Sequence, residues 1–201
     1  IDEGLIEFGI AKYLQNEKWI RCYVGWCNCR YIFCTINLYG YIDMALKLPN
    51  KIVKILQKKR IKISLAESCT GGMLSSQITS VKGASKIFSL GIVSYSNQSK
   101  IKTLRVQKKT ILKFGAVSKE CCLSMARNIQ KISKSDISLS ITGIAGPDGG
   151  TTKKPVGLVY VGICKKSKID FRKYFFNNKL TRVQIQKKTC IKALKLIEEF
   201  L

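Results

Sequence analysis

The 201-residue chain contains no histidine, and that absence removes more chemistry than any other feature of its composition. Ser-His-Asp triads, Cys-His pairs and histidine metal sites are all excluded. Proton transfer must then run through Lys, Tyr, Asp, Glu or Cys. Acidic residues are scarce too, 12 against 36 basic ones, and no carboxylate cluster suggests a catalytic divalent ion, so neither metal nor cofactor is expected. No uninterrupted apolar run reaches the ~18 residues of a membrane span, because Asn37, Gly40 and Asp43 break the nearest candidate. A signal-peptide pattern is lacking. Nine irregularly spaced cysteines, an odd number, make no disulfide framework, so a reducing, cytoplasmic setting and a soluble protein without membrane contact are expected.

What the chain has in excess is positive charge, +24 at neutral pH. The cations run from Lys12 to Lys195, are mostly lysine and come with abundant isoleucine, a chain-wide bias rather than one basic face. A weak, salt-sensitive attraction to polyanions follows, but no specific nucleic-acid site is expected. The length suits one main domain. Residues 1–44 differ from the remainder, holding both tryptophans and Cys22, Cys27, Cys29 and Cys34. That cysteine spacing is not the paired C-x2-C of zinc knuckles. This segment reads as an extension whose order the sequence leaves open, and 45–201 as the folded domain.

Within 45–201 the organising stretch is Ile61 to Gly72, where the apolar run Ile61, Ile63, Leu65 ends in Glu67-Ser68-Cys69-Thr70-Gly71-Gly72. It reads as a buried strand entering a turn before a helix. Turn N–H groups at a helix start suit an anion, and the alternative is an ordinary turn with Ser68 or Thr70 as N-cap. A helix from Pro49, with Leu48, Ile52, Val53, Ile55 and Leu56 on one face, leads into the strand. Further strands are expected at 87–94, 137–141, 156–164 and 169–176. Helices are expected from Met73 to about Ser80, over 100–104, from Ser118 with Leu123, Ala126, Ile129 and Ile132 facing inward, and over 181–200. Strands interleaved with helices predict an α/β fold: a three-layer α/β/α sandwich with a mixed, mostly parallel sheet.

Five blocks in this order resemble the CinA C-terminal domain family, the nicotinamide-nucleotide amidohydrolases. They are Ala66-Glu67-Ser68-Cys69-Thr70-Gly71-Gly72, Tyr95-Ser96-Asn97 with Lys100, Gly115-Ala116-Val117-Ser118, Thr142-Gly143-Ile144-Ala145-Gly146-Pro147 with Gly149-Gly150, and Lys154-Pro155-Val156-Gly157. The resemblance covers about three quarters of the chain. It implies hydrolysis of the carboxamide of nicotinamide mononucleotide to nicotinate mononucleotide and ammonia, in pyridine-nucleotide salvage. Larger members also carry an N-terminal molybdopterin-binding-like domain, which some 45 residues cannot contain, so a stand-alone form is expected. A homo-oligomer is compatible with all of this.

By the resemblance, Ser85 stands at the nucleophile position, Lys100 at the general base and Tyr95 at the residue that relays or orients the proton. Ser68, Thr70, Gly71, Gly72, Thr142, Gly143, Gly146 and Arg182 form the implied substrate-binding set. A lysine takes a serine proton only if its pKa falls from ~10.4 toward 7. Two departures stand out: Leu180-Thr181-Arg182 replaces the usual Gly-Asp-Arg, with Gln186 in place of a second arginine, and Lys82-Gly83-Ala84-Ser85-Lys86 replaces the usual Pro-Gly-Ser-Ser at the nucleophile loop. Bottom-up chemistry offers a rival assignment, because Ser68 lies in the turn that most resembles a nucleophile elbow. The expectation follows the resemblance: Ser85 attacks and Ser68 binds phosphate. The alternative function is a catalytically degraded member that binds nucleotides or polyanions.

Overall fold

The computed structural model describes residues 47–201. The expectations for residues 1–44, including the four early cysteines, lie outside the described residues.

A helix, α1, occupies 47–59 and buries Leu48, Ile52, Val53 and Leu56 of the expected stripe, while Ile55 is half-buried at its edge. Strand β1 (Ile63–Glu67) follows and is buried at every position. Then come α2 (Met73–Thr79), a short 3-10 turn (Ala84–Lys86), β2 (Phe88–Val93), α3 (Asn97–Lys102), α4 (Lys108–Phe114) and α5 (Lys119–Ser133). The chain closes with β3 (Ile137–Gly143), β4 (Leu158–Lys165), β5 (Lys168–Phe175) and α6 (Arg182–Phe200). The sheet order is β2-β1-β3-β4-β5. β1 runs parallel to β2 and β3, while β4 is antiparallel to both β3 and β5. Four strands therefore share a direction and β4 opposes them, which is the expected mixed, mostly parallel sheet.

Alternation along the strands sorts the two faces. Ala66 belongs to a cluster with Leu104, Val106, Ile111, Cys121, Met125 and Ile129, so α5 covers that face. On it the serines of β3 are buried, contrary to the usual polar-out alternation, and donate to helix carbonyls: Ser138 Oγ to Ala126 O and Ser140 Oγ to Cys122 O, both at 2.7 Å. A small hydroxyl that reaches a carbonyl lets helix and sheet approach closely while leaving no donor unpaired. A Cβ on Gly162 of β4 would lie 2.9 Å from Ser140 Oγ and 3.0 Å from Cys122 Sγ, a measure of how tightly α5 is seated. Glu67, one residue on from Ala66, turns to the opposite face, toward α2 and the α6 thiol Cys190.

Three expectations change. Within α5 the buried residues are Cys121, Cys122, Met125, Ala126 and Ile129, whereas Ile132 is 38% exposed and Leu123 half-buried. Helix α3 begins at Asn97, earlier than 100, because Ser96 caps it by accepting from Ser99 N. Helix α4 carries no sequence expectation at all. Its single buried residue, Ile111, is too little for a hydrophobic period.

Candidate functional site

The carboxyl ends of β1, β2 and β3 and the start of α6 enclose a cleft of about 250 Å³. It is lined by Ser68, Tyr95, Lys100, Thr142, Gly146 and Arg182 among others. This is where open α/β sheets bind ligands.

Lys100 is the centre of the geometry. The Ser96 cap sets the first turn of α3 so that Lys100, on its inner side, is only 2% exposed. Its Nζ lies 2.9 Å from Ser68 Oγ, 2.7 Å from Ser94 O and 3.4 Å from Tyr95 O. Among the described residues no carboxylate forms a salt bridge with it. Burial lowers its pKa, opposed by the nearby thiols of Cys121 and Cys69. Those thiols are themselves pushed up by burial, to about 11 for Cys121 and about 12 for Cys69. They are uncharged near neutrality, so desolvation prevails and shifts the balance toward the neutral amine. A neutral amine has two N–H donors and one lone pair, which match two carbonyl acceptors and one hydroxyl donor, Ser68 O–H.

Arg182, the first residue of α6, is set by a capping box in which Thr181 Oγ1 accepts from Gln184 N and Gln184 Oε1 accepts from Thr181 N. Its guanidinium donates to Gly146 O and to Tyr95 Oη, both at 2.7 Å. Gly146 has a φ of 73°, a region that disfavours a side chain, and a Cβ there would press on Val156. Because the Tyr95 oxygen is the acceptor in that bond, its O–H points its donor elsewhere, and Tyr95 lines the cleft. Thr142 Oγ1 donates to Ala116 O at 2.8 Å, tying the end of β3 to the segment before α5.

The structure thus brings together Ser68, Lys100, Tyr95, Thr142, Gly143, Gly146 and Arg182. It does not bring Ser85 to them. Ser85 is exposed in the 3-10 turn before β2, beside Lys62, Lys86 and Lys134, while Tyr95 and Lys100 follow the other end of that strand. Six extended residues at about 3.3 Å each separate the two ends by roughly 20 Å, so the expected Ser85–Lys100 pair does not form. Strand β2 runs away from the 3-10 turn and does not fold back to it.

Thr70, Gly71 and Gly72 do not line the cleft either. The N-cap of α2 is Gly72, without a side-chain cap, so neither Ser68 nor Thr70 fills that role. The N–H groups of Gly72, Leu74 and Ser75 are taken by the Glu67 carboxylate, at 3.1, 3.2 and 2.7 Å, and are closed to an external anion. Sequence reasoning missed Glu67, and it missed Asn97 and Asp148 on the cleft wall. Asn97 was within reach, standing two residues after Tyr95 in the same block. Gln186, the departure from arginine, donates from α6 to Cys69 O at 2.8 Å.

A family model described as CinA C-terminal domain matches residues 45–201. A relative in Thermoanaerobacter pseudethanolicus, whose name of competence-damage inducible protein is itself provisional, is 47% identical over 166 residues, or 83% of this chain and 40% of the relative. A CinA-like protein of Kosmotoga olearia is 50% identical over 136 residues, 68% of this chain and 32% of that protein. The chain spans less than half the length of these curated relatives. Among solved structures, the competence/damage inducible protein CihA from Agrobacterium tumefaciens superposes with a TM-score of 0.76 at 31% identity, covering 78% of this chain and 94% of that one. A CinA superfamily protein from Klebsiella pneumoniae gives 0.74 at 25%, covering 77% and 96%. The chain belongs to the CinA C-terminal domain family.

Proposed function

We propose that this protein is a serine–lysine amidase that hydrolyses the carboxamide of nicotinamide mononucleotide, with Ser68 as the attacking group. The observation that carries it is the buried Lys100 amine, 2.9 Å from Ser68 Oγ and without a carboxylate partner among the described residues. A structural lysine in such a place would seek a counter-charge. A base would avoid one, since a counter-charge raises its pKa.

Lys100 in its neutral form takes the Ser68 proton as Oγ attacks the carboxamide carbon. The carbonyl electron pair moves to oxygen, and the Tyr95 hydroxyl donates toward it from the cleft wall. The lysine ammonium then protonates the departing nitrogen, which leaves as ammonia with an acyl-serine behind. Water, deprotonated by Lys100, attacks that ester and releases the nicotinate carboxylate and free Ser68. With the α2 N–H groups occupied, Arg182 and the backbone of Gly146 to Gly149 are the groups available to the substrate phosphate. Ser85 has no part in this scheme. Ammonia release from nicotinamide mononucleotide by the purified protein tests the reading, together with a mass increment on Ser68 when the reaction is quenched. Absence of turnover in folded protein overturns it and favours a nucleotide-binding role.

A further inference from the structure

Resting on that reading of Ser68, we propose that Glu67 is the positioning residue of the nucleophile, a buried carboxylate that locks the Ser68 turn and joins it to the lysine base. Glu67 is fully buried and forms no salt bridge among the described residues. Its Oε2 accepts from Gly72 N and Leu74 N, and its Oε1 accepts from Ser75 N at 2.7 Å and Ser75 Oγ at 2.6 Å. Four donors on one carboxylate hold the first turn of α2 against the end of β1, and the residues between are Ser68 to Gly71. A helix of seven residues has little stability of its own, and the carboxylate supplies what its N-terminus lacks.

The same residue reaches the base through its backbone. Glu67 O accepts from Ser94 N at 2.8 Å, and Ser94 O accepts from Lys100 Nζ at 2.7 Å. Lys100 Nζ in turn meets Ser68 Oγ. Ser68, Glu67, Ser94 and Lys100 therefore close a ring in which nucleophile and base are registered to each other through one residue. Gln186 braces the turn from outside at the Cys69 carbonyl, but it touches only one point of it. Displacing a reacting group by 1 Å costs about 10²-fold in rate. The carboxylate is therefore required for the rate of attack rather than for substrate affinity.

Glu67→Gln keeps the size but sets an NH2 against N–H donors, and it tests the proposal. The expected result is folded protein with kcat lowered on the order of 10²-fold and KM within about threefold, the signature of a lost transition-state interaction. Labelling of Ser68 by a phosphonofluoridate slows in proportion. The midpoint of the pH–rate curve stays where it is, because Lys100 keeps its burial. A kcat within threefold of the parent, or a shift of the midpoint, overturns the proposal. Should Glu67→Gln fail to fold, Ser75→Ala removes one donor while favouring the helix, and a kcat loss of about three- to tenfold at unchanged KM is expected. Parent-like kcat in that variant overturns it. If the parent protein neither releases ammonia nor takes the label, the amidase reading fails on its own. The positioning proposal is then read by amide hydrogen exchange over residues 68–75, which must accelerate at least tenfold in Glu67→Gln, and unchanged exchange overturns it.

Discussion

Lys100 shows how one residue can be unfavourable for folding and required for chemistry. Its folded pKa is lowered by burial, so the native state binds fewer protons at this site than the unfolded chain. Stability from this group is therefore least below the folded pKa and rises with pH up to the ordinary lysine range. Activity needs the neutral amine, so kcat/KM should climb with pH and level off below pH 10.5, a midpoint that a pH–rate profile measures. Lys100→Met removes the base and the desolvation cost together. We expect turnover to fall on the order of 10⁴-fold or more while Tm at pH 7 is unchanged or raised, as calorimetry would show. Ser68→Ala should match that loss of turnover with substrate affinity within a few fold. Ser85→Ala, about 20 Å away by strand length, should retain parent-like kcat. Inactivity of Ser85→Ala alongside an active Ser68→Ala would reverse the assignment.

At the level of elements, α6 is the component that links folding to the site. Its capping box fixes the first turn, and that turn carries Arg182, which holds Tyr95 and the Gly146 carbonyl. The rest of the helix is anchored independently by Ile185, Cys190, Leu194 and Ile197 in the core. Loss of the cap should therefore loosen only the start. Thr181→Ala is expected to cost about 1 kcal/mol, a fall in Tm of roughly 2–4 °C for a chain of this size. It should raise KM more than it lowers kcat, because Arg182 is placed here on the substrate's phosphate. Steady-state kinetics with a thermal melt checks both. A cap variant with unchanged Tm and KM would show that α6 is held without its first turn.

For the molecule as a whole, the five described cysteines are free and buried. Burial raises the pKa of each, so thiolate is scarce at neutral pH. Iodoacetamide at pH 7.5 should leave these five unmodified and activity intact, while denaturant exposes all five to alkylation. Mass spectrometry counts them. Among the described residues, those lining the cleft all lie at or beyond Ser68. Removal of residues 1–43 is accordingly expected to leave turnover within about tenfold of the full chain, and a larger loss would show that the early segment supports the domain. Among the described residues no helix is long and apolar enough to cross a membrane.

The sequence by itself determined the elements whose signal is local. Apolar runs marked β1, β3 and β4, the capping Ser118 marked the start of α5, an apolar side marked α6, and the glycine blocks marked which strand ends face the site. Lys100, Tyr95, Thr142 and Arg182 were legible as members of one site through the family resemblance of the blocks that carry them. Only the tertiary structure decided which serine meets the lysine, because Ser68 and Ser85 both lie in small-residue turns and differ in the end of the sheet they occupy. The direction of β2 settles that, and direction is a property of strand pairing rather than of any local pattern. The role of Glu67 was hidden for a related reason. A carboxylate beside a helix start reads as solvent-facing until the alternation of β1 turns it inward, where the α2 N–H groups are the donors that satisfy it.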